Sequence, residues 1–171
     1  MIEQHFAEPG FVFRAGWVTD EEYERILDQV VVSCVDCILV HAGRMLVGLR
    51  TQEPYRGWWV IGGRMRPGES FAMTGQRVVE RELGLHIPLS RFCYVSTISY
   101  VWARRAQPSP ERGCHMIGNN LLGRLSDAEV SAITATPDFA ELKWIDPRDV
   151  VQSSEFHPAI KQFAQHVLEN P

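Results

Sequence analysis

The sequence predicts an α/β (α+β) fold, a sandwich with helices on both sides of a mixed β-sheet. Two observations predict it. Helical and β-rich patterns are interleaved along the chain, and the strands include one hairpin and two long neighbouring runs. With 171 residues, 45% of them hydrophobic, the chain is long enough for one well-packed domain and short for two, so we expect a single domain over residues 1–171.

The first part of the chain predicts a short helix followed by a β-hairpin. Thr19 and Glu22 form a capping box in front of an amphipathic stretch, which is typical of a helix start. Two β-rich runs, 31–40 and 45–50, are joined by residues 41–44, and this pattern predicts a hairpin.

A third β-rich run leads into the main helix of the sequence. This run covers residues 58–61, and we expect it to stop at Gly62 and Gly63. Residues 70–83 repeat apolar side chains at the helical period, and Gly84 follows as a C-terminal stop.

The second half alternates strands and helices again. Two long runs are separated by a polar, proline-containing segment, and further helix starts are marked by a capping box and by prolines at first helical positions. The expected elements are strands at 92–102, 115–125 and 141–145, and helices that begin near Ser126, Pro147 and Pro158.

Charge and hydropathy exclude several classes of partner. The net charge of −4 and the pI near 5.9 provide no basic field for a nucleic-acid backbone or an anionic membrane. No apolar stretch reaches the length of a membrane span, and the N-terminus lacks the pattern of a signal peptide. We therefore expect a cytoplasmic protein with neither a nucleic-acid nor a membrane partner.

The four cysteines allow two interpretations. Cys34 and Cys37 have the C-x-x-C spacing of a redox pair or a zinc half-site, for which Cys93 and Cys114 supply only a weak second half. However, the pair lies in a β-rich run, where alternation points the two thiols to opposite faces. A structural role is the favoured interpretation.

The main helix carries an acidic residue on its apolar face. A helical projection of residues 70–83 places Glu82 inside the apolar stripe, whereas Glu80 points to the opposite side. A buried carboxylate is unfavourable unless a cation accompanies it. The cation is either a metal ion or the side chain of Arg77 or Arg81.

The segment before this helix favours a phosphate ligand. Residues 62–69 are rich in glycine, contain Arg64 and Arg66, and run into a helix N-terminus. Segments of this kind present backbone amides and guanidinium groups to phosphate oxygens. A diphosphate with a divalent cation is the simplest ligand that accounts for both this segment and Glu82.

Residues 63–85 resemble the Nudix box, G-x5-E-x7-R-E-U-x-E-E-x-G-U, in which U is aliphatic. The spacing is unbroken. Two carboxylates of the box are replaced, by Val78 and Arg81, which leaves Glu82 as the single helix carboxylate for a metal. The matching positions are Gly63, Glu69, Arg77, Val79, Glu82, Gly84 and Leu85.

The loss of those two carboxylates resembles one subgroup, the GDP-mannose mannosyl hydrolases. The likeness extends over roughly residues 17–168, which leaves residues 1–16 as an N-terminal addition. It implies a Nudix-type α/β/α sandwich and a homodimer. Outside the box it is carried by Asp36, the segments 48–51, 57–59 and 62–64, and Lys143-Trp144.

The resemblance also implies a metal and substrate site. Glu82 and the backbone carbonyl of Gly62 would bind Mg²⁺, with Mn²⁺ as the alternative ion. Arg50 and Arg64 would contact the diphosphate and favour its departure. For each arginine the alternative is a solvated surface charge.

Two further positions complete the implied substrate contacts. Arg77 would contact Glu69 or the substrate, and Asp36 would face the sugar. His115, at the start of a strand, is another candidate substrate contact or a structural histidine.

The general base of the subgroup has no counterpart in this chain. The subgroup has a Gln-His pair in the loop that aligns with residues 137–142, and this loop contains no histidine. Phe139 cannot accept a proton. Asp138 or Glu141 could substitute as metal ligand or base, because a partly desolvated carboxylate has suitable basicity, and His115 is another candidate.

Three functions remain open. The leading one is a Mg²⁺-dependent hydrolase of a nucleotide sugar or a related nucleoside diphosphate derivative, which releases a nucleoside diphosphate. The second is a Nudix pyrophosphohydrolase that cleaves the P–O bond. The third is a non-catalytic nucleotide-sensing domain. The retention of Glu82 with Arg50, Arg64 and Arg77 favours catalysis over it.

Overall fold

A computed structural model describes residues 4–13, 18–134 and 139–171. None of the helices in these ranges combines the length and the apolar character needed to cross a membrane. The helices are α1 Asp20–Gln29, α2 Phe71–Leu83, α3 Asp127–Ser131, α4 Pro147–Gln152 and α5 Pro158–Glu169, with 3₁₀ turns at Leu89–Arg91 and Pro110–Arg112. The strands are β1 Val32–His41, β2 Arg44–Arg50, β3 Gly57–Trp59, β4 Ile61–Arg64, β5 Cys93–Trp102, β6 Cys114–Arg124 and β7 Leu142–Ile145.

The strands form one mixed sheet. The order is β3-β2-β1-β6-β5, with β4 paired to β1 and β7 paired to β2. The pairing of β1 with β6 is parallel, whereas all the other pairings are antiparallel. The predicted hairpin of β1 and β2 is confirmed, with Ala42 and Gly43 at its turn.

Helices cover both faces of this sheet, which confirms the predicted sandwich. Alternation along β1 sends Val35 and Cys37 into the core that contains the apolar side of α2. Ile38 and Val40 point the other way, into the core that α4 and α5 complete.

The structure confirms the predicted limits of α1 and α2. The Thr19 and Glu22 capping box is present in full, and the Ser70 hydroxyl accepts a hydrogen bond from the Met73 amide (3.1 Å). Gly84 ends α2 with φ of 69°, a left-handed conformation that glycine adopts without a steric penalty.

The expectation that a strand stops at Gly62 and Gly63 is wrong. β4 runs through both glycines and pairs them with Asp36 and Val35 of β1. The glycines are needed for close packing, since a Cβ at Gly62 would overlap the Asp36 carboxylate and one at Gly63 would overlap the Val78 side chain. The expected single run 58–61 is correspondingly two strands, because β3 pairs with β2 and β4 pairs with β1.

A buried arginine joins the loop between β5 and β6 to α1. The Arg105 side chain is 1% exposed, and its guanidinium donates to Asp28 (2.7 Å) and Glu24 (3.1 Å) on α1. It also donates to the backbone carbonyl of Pro108 (3.0 Å). A buried guanidinium is tolerated when charged partners and carbonyls occupy its donors in this way.

Candidate active site

One pocket of about 330 Å³ brings together most of the predicted site residues. It opens beside β4 and the C-terminal end of α2, and residues from β1, β2, β5 and β6 complete its walls. Its lining includes Asp36, Arg50, Gly62, Arg64 and Glu82, which the family resemblance placed in the site.

Glu82 is buried and lies at the pocket wall. Its side chain is 2% exposed, and Arg81 donates hydrogen bonds to it from its guanidinium. An ion pair with Arg81, one of the two alternatives for the buried charge, is therefore present. The other lost carboxylate position, Val78, is fully buried and packs against Gly63.

The donor set at this wall suits a metal that takes few ligands from the protein. Among the described residues, no three His, Cys, Asp or Glu side chains are arranged to hold a metal ion. Glu82 would supply one buried carboxylate oxygen, and carboxylate and carbonyl oxygens are the donors that Mg²⁺ prefers. The residues fit an ion whose remaining ligands are diphosphate oxygens and water.

Asp36 is the second buried carboxylate of the pocket. It is 6% exposed, and one carboxylate oxygen accepts a hydrogen bond from the Trp59 indole N–H (3.1 Å). Burial raises the pKa of Asp36 to about 6, although the Trp59 hydrogen bond and the charge of Arg50 partly oppose that shift. At neutral pH the group is ionised but close to its titration range.

Aromatic rings form the wall beside Asp36. Trp59 and Tyr100 meet edge to face with centroids 5.6 Å apart, and Tyr100 stacks on Trp102 at 5.4 Å. The Tyr100 hydroxyl is buried and has no hydrogen-bond partner within the described ranges. An unsatisfied buried hydroxyl is unfavourable, so this part of the aromatic wall costs some stability.

Arg64 is positioned by its neighbours at the pocket rim. Its guanidinium lies 4.2 Å from the centroid of the Tyr23 ring of α1, which is a cation–π contact. Its backbone carbonyl accepts a hydrogen bond from Arg77 (2.9 Å). The Arg64 guanidinium thus lines the pocket, and the hydrogen bond from Arg77 fixes the backbone that carries it.

Arg77 has a structural position in this chain. It donates two hydrogen bonds to Glu69, at 2.5 Å and 2.7 Å, and it is not among the described residues that line the pocket. Of the two roles implied for it, contact with Glu69 is the one observed. Glu69 also accepts hydrogen bonds from the Arg66 amide (2.9 Å) and the Thr74 hydroxyl (2.8 Å).

Glu69→Gln is expected to destabilise the protein by about 1–2 kcal/mol at pH 7, a value reduced by solvent screening of the partly exposed pair. Burial opposes the ionisation of Glu69, but the hydrogen bonds from Arg77, Arg66 and Thr74 outweigh it and lower its pKa to about 2.

Because the folded-state pKa of Glu69 is depressed, its contribution to stability is present above pH 4.5 and disappears as the pH falls towards 2. Urea unfolding at pH 7 and pH 3 measures the difference between the variant and the wild type. Glu80→Gln, on the exposed side of α2, is the control. A constant difference at both pH values would contradict the assignment to the Glu69 charge.

The remaining predicted residues lie elsewhere or outside the described part of the chain. Glu141 is exposed and absent from the pocket lining. Its backbone carbonyl accepts a hydrogen bond from the Leu49 amide of β2 (2.8 Å), just before β7 begins. His115 contacts the Ser99 hydroxyl (2.8 Å) and also lies outside the lining, whereas the next residue, Met116, is part of it. Asp138 is outside the described residues, but Phe139 lines the pocket.

The two cysteines of the C-x-x-C pair face opposite sides of β1, as predicted. Cys37 packs in the core under α2, and Cys34 lines the pocket. Burial, followed by the charge of Asp36, raises the pKa of Cys34 to about 12. A thiol with so high a pKa is a poor nucleophile and a poor metal ligand at neutral pH, which supports the structural interpretation.

Sequence reasoning did not single out the aromatic wall. Its members come from β3 and β5, so the wall exists only once the sheet has formed. One signal was available: Ile98, Tyr100 and Trp102 occupy alternate positions of a strand, which places their side chains on one face.

The NUDIX domain family model matches residues 29–167 of the chain. The low-salt glycan biosynthesis protein Agl8 of Haloferax volcanii is 36% identical over 73 residues, which are 42% of this chain and 47% of that protein. The chain thus spans about half the length of this relative.

Solved structures share the fold at low identity. The MutT protein of Methanosarcina mazei Go1 superposes with a TM-score of 0.65 at 13% identity, over 84% of this chain and 96% of that one. The dihydroneopterin triphosphate pyrophosphohydrolase of E. coli gives 0.63 at 14% identity, over 84% and 100%. Since the family model covers most of the chain, including the 63–85 motif and the pocket-forming strands, the chain belongs to the Nudix family of hydrolases.

Proposed function

We propose that this Nudix protein hydrolyses a nucleotide sugar in the presence of Mg²⁺ and releases a nucleoside diphosphate. Nudix hydrolases act on nucleoside diphosphate derivatives and generally use divalent metal ions. The choice of a sugar and of magnesium is our inference. The partial similarity to a protein named for glycan biosynthesis supports a sugar-linked substrate.

The observation that carries the proposal is that one pocket combines two chemically different sets of side chains. Arg50, Arg64 and Glu82 provide the charges that suit a diphosphate and its metal ion. Asp36 provides a carboxylate acceptor beside the rings of Trp59 and Tyr100, which suits a group rich in hydroxyls. A nucleotide sugar carries both kinds of group on one molecule.

Glu82 and the Gly62 carbonyl would hold the metal, which when bound neutralises charge on the departing diphosphate. Arg50 and Arg64 bind diphosphate oxygens and stabilise the negative charge that accumulates as the leaving group departs. The aromatic wall orients the sugar and excludes water from the face that it covers.

The bond that breaks is the one between the sugar carbon and the diphosphate oxygen. A water molecule adds to the sugar carbon, the bonding electrons leave with the nucleoside diphosphate, and the water proton passes to a carboxylate. Among the described carboxylates, Asp36 is better placed for this role than Glu141, because it is buried in the pocket and its pKa is raised to about 6. Asp138 is the alternative base.

A substrate screen with Mg²⁺ tests the function. Nucleoside diphosphate sugars and dinucleotides are incubated with the protein, and release of nucleoside diphosphate and monophosphate is followed separately. We expect diphosphate release from sugar substrates, with label from ¹⁸O water in the sugar. Label in a phosphate product would establish P–O cleavage instead, and the absence of turnover with every substrate would favour a sensing domain.

Arg64→Ala is expected to lower kcat by about 10- to 100-fold with a smaller rise in KM, because its guanidinium matters most as charge builds up on the leaving group. Steady-state kinetics on the best substrate measures both constants. Arg66→Ala, an exposed arginine in the same segment, is the comparison. A large rise in KM at constant kcat would show uniform substrate binding by Arg64.

A further inference from the structure

The chain places a cation where the Nudix box has a metal-binding carboxylate. Arg81 occupies the first position of the Glu pair, and its side chain forms the ion pair with Glu82 described above. Replacement of a carboxylate by a neutral residue would only remove a ligand. Replacement by arginine also reverses the charge at the metal position.

The two side chains of this ion pair differ in exposure. The Glu82 side chain is 2% exposed, whereas that of Arg81 is 51% exposed and lines the pocket with Gly63 and Arg64. One terminal nitrogen of Arg81 lies 3.5 Å from the place where a Cβ on Gly63 would stand, so the guanidinium is against the β4 backbone. A guanidinium has five N–H donors, and binding to one carboxylate leaves further donors on a side chain that lines the pocket.

A divalent ion and the Arg81 guanidinium compete for the Glu82 carboxylate. A divalent ion on Glu82 must either displace the Arg81 guanidinium or bind beside it, and two cations that share one carboxylate repel each other. A diphosphate removes this conflict, because its oxygens neutralise both cations and can accept hydrogen bonds from Arg81.

We propose that Arg81 is a built-in counter-cation of Glu82, which weakens divalent-ion binding to the free protein and makes the ion enter together with the diphosphate. The inference rests on the proposed function, since it takes Glu82 as the metal ligand. Arg81 thus lowers the affinity for the metal ion and raises the affinity for the diphosphate.

Arg81→Ala separates these effects in one variant. Mn²⁺ binding is measured by the loss of the free-ion EPR signal, and GDP binding in EDTA is measured by calorimetry. We expect the variant to bind Mn²⁺ about 10-fold more tightly and GDP about 10-fold more weakly than the wild type. Arg81→Lys keeps the charge and should bind Mn²⁺ as weakly as the wild type.

Two controls locate the effect. Arg44→Ala removes the same charge at the other end of β2 from the pocket and should change neither affinity. Addition of Glu82→Gln to Arg81→Ala should abolish the gain in Mn²⁺ affinity. A Tm within about 2 °C of the wild type shows that each variant is folded, a shift that corresponds to less than about 1 kcal/mol for a domain of this size.

Equal Mn²⁺ affinity in the wild type and Arg81→Ala would overturn the inference, as would unchanged GDP binding. The substrate screen judges the proposed function independently, at saturating Mg²⁺. Equal affinities in an active enzyme would therefore reject the role of Arg81 and leave the hydrolase assignment intact.

Discussion

Glu82→Gln is expected to lower kcat by about 10³-fold or more, which corresponds to at least about 4 kcal/mol of lost transition-state stabilisation. In the proposed function, this carboxylate is the one side chain of α2 that would bind the metal. Glutamine keeps the shape and an oxygen for Arg81 but loses the charge that holds a divalent ion. The melting temperature should change little, since the buried charge is itself unfavourable.

Steady-state kinetics with Mg²⁺ varied at saturating substrate measures this loss, and thermal unfolding measures stability. Glu80→Gln lies two positions earlier on the same helix, is exposed, and should keep wild-type turnover. A Glu82→Gln protein that unfolds several degrees earlier and turns over normally would show that Glu82 only pairs with Arg81.

Asp36→Asn is expected to lower kcat by about 100-fold or more, within the range attributed to a general base, without loss of stability at pH 7. Burial raises the pKa of Asp36 from 3.8 to about 6, so folding the ionised group costs up to about 3 kcal/mol above pH 6. The cost declines as the pH falls from 6 towards 3.8, because in this range the Asp36 carboxyl binds a proton in the folded protein but not in the unfolded chain. The amide carries no such cost and can still accept the Trp59 hydrogen bond.

Urea unfolding at pH 7 and pH 4 tests the stability, and pH–rate profiles test the catalytic role. The wild-type rate should rise with an apparent pKa near 6, as Asp36 loses its proton. Asp138→Asn and Glu141→Gln are compared under the same conditions, and Glu141→Gln should keep at least half the activity, since an exposed side chain outside the pocket cannot take the proton. If only Asp138→Asn loses activity, Asp138 is the base.

Local signals predicted the elements of the fold well. The capping box at Thr19, the periodicity of α2 and the stop at Gly84 are each set by residues within a few positions, and the structure confirms all three. The Gly62–Gly63 pair was interpreted wrongly because its glycines serve contacts with Asp36 and Val78. Those partners become visible only when distant segments meet.

The site was predictable where a motif fixes it and not elsewhere. The buried position of Glu82 follows from helix geometry, and its place in the pocket agrees with the prediction. The contact of Arg77 with Glu69 was one of two options that the sequence left open. The Tyr100 wall and the burial of Asp36 depend on the packing of β1, β5 and β6, which no local pattern specifies.

The parallel pairing of β1 with β6 has a consequence for the order in which this protein acquires its shape. The residues of β1 from Val32 to Val40 each pair with one 84 positions further along the chain, from Met116 to Arg124. Closing so long a loop is entropically unfavourable and slow. During synthesis, β1 therefore cannot form its full pairing with β6 until residue 124 has left the ribosome. Until then, only β2 and β4 of the described strands can pair with β1 and shield its apolar residues from water.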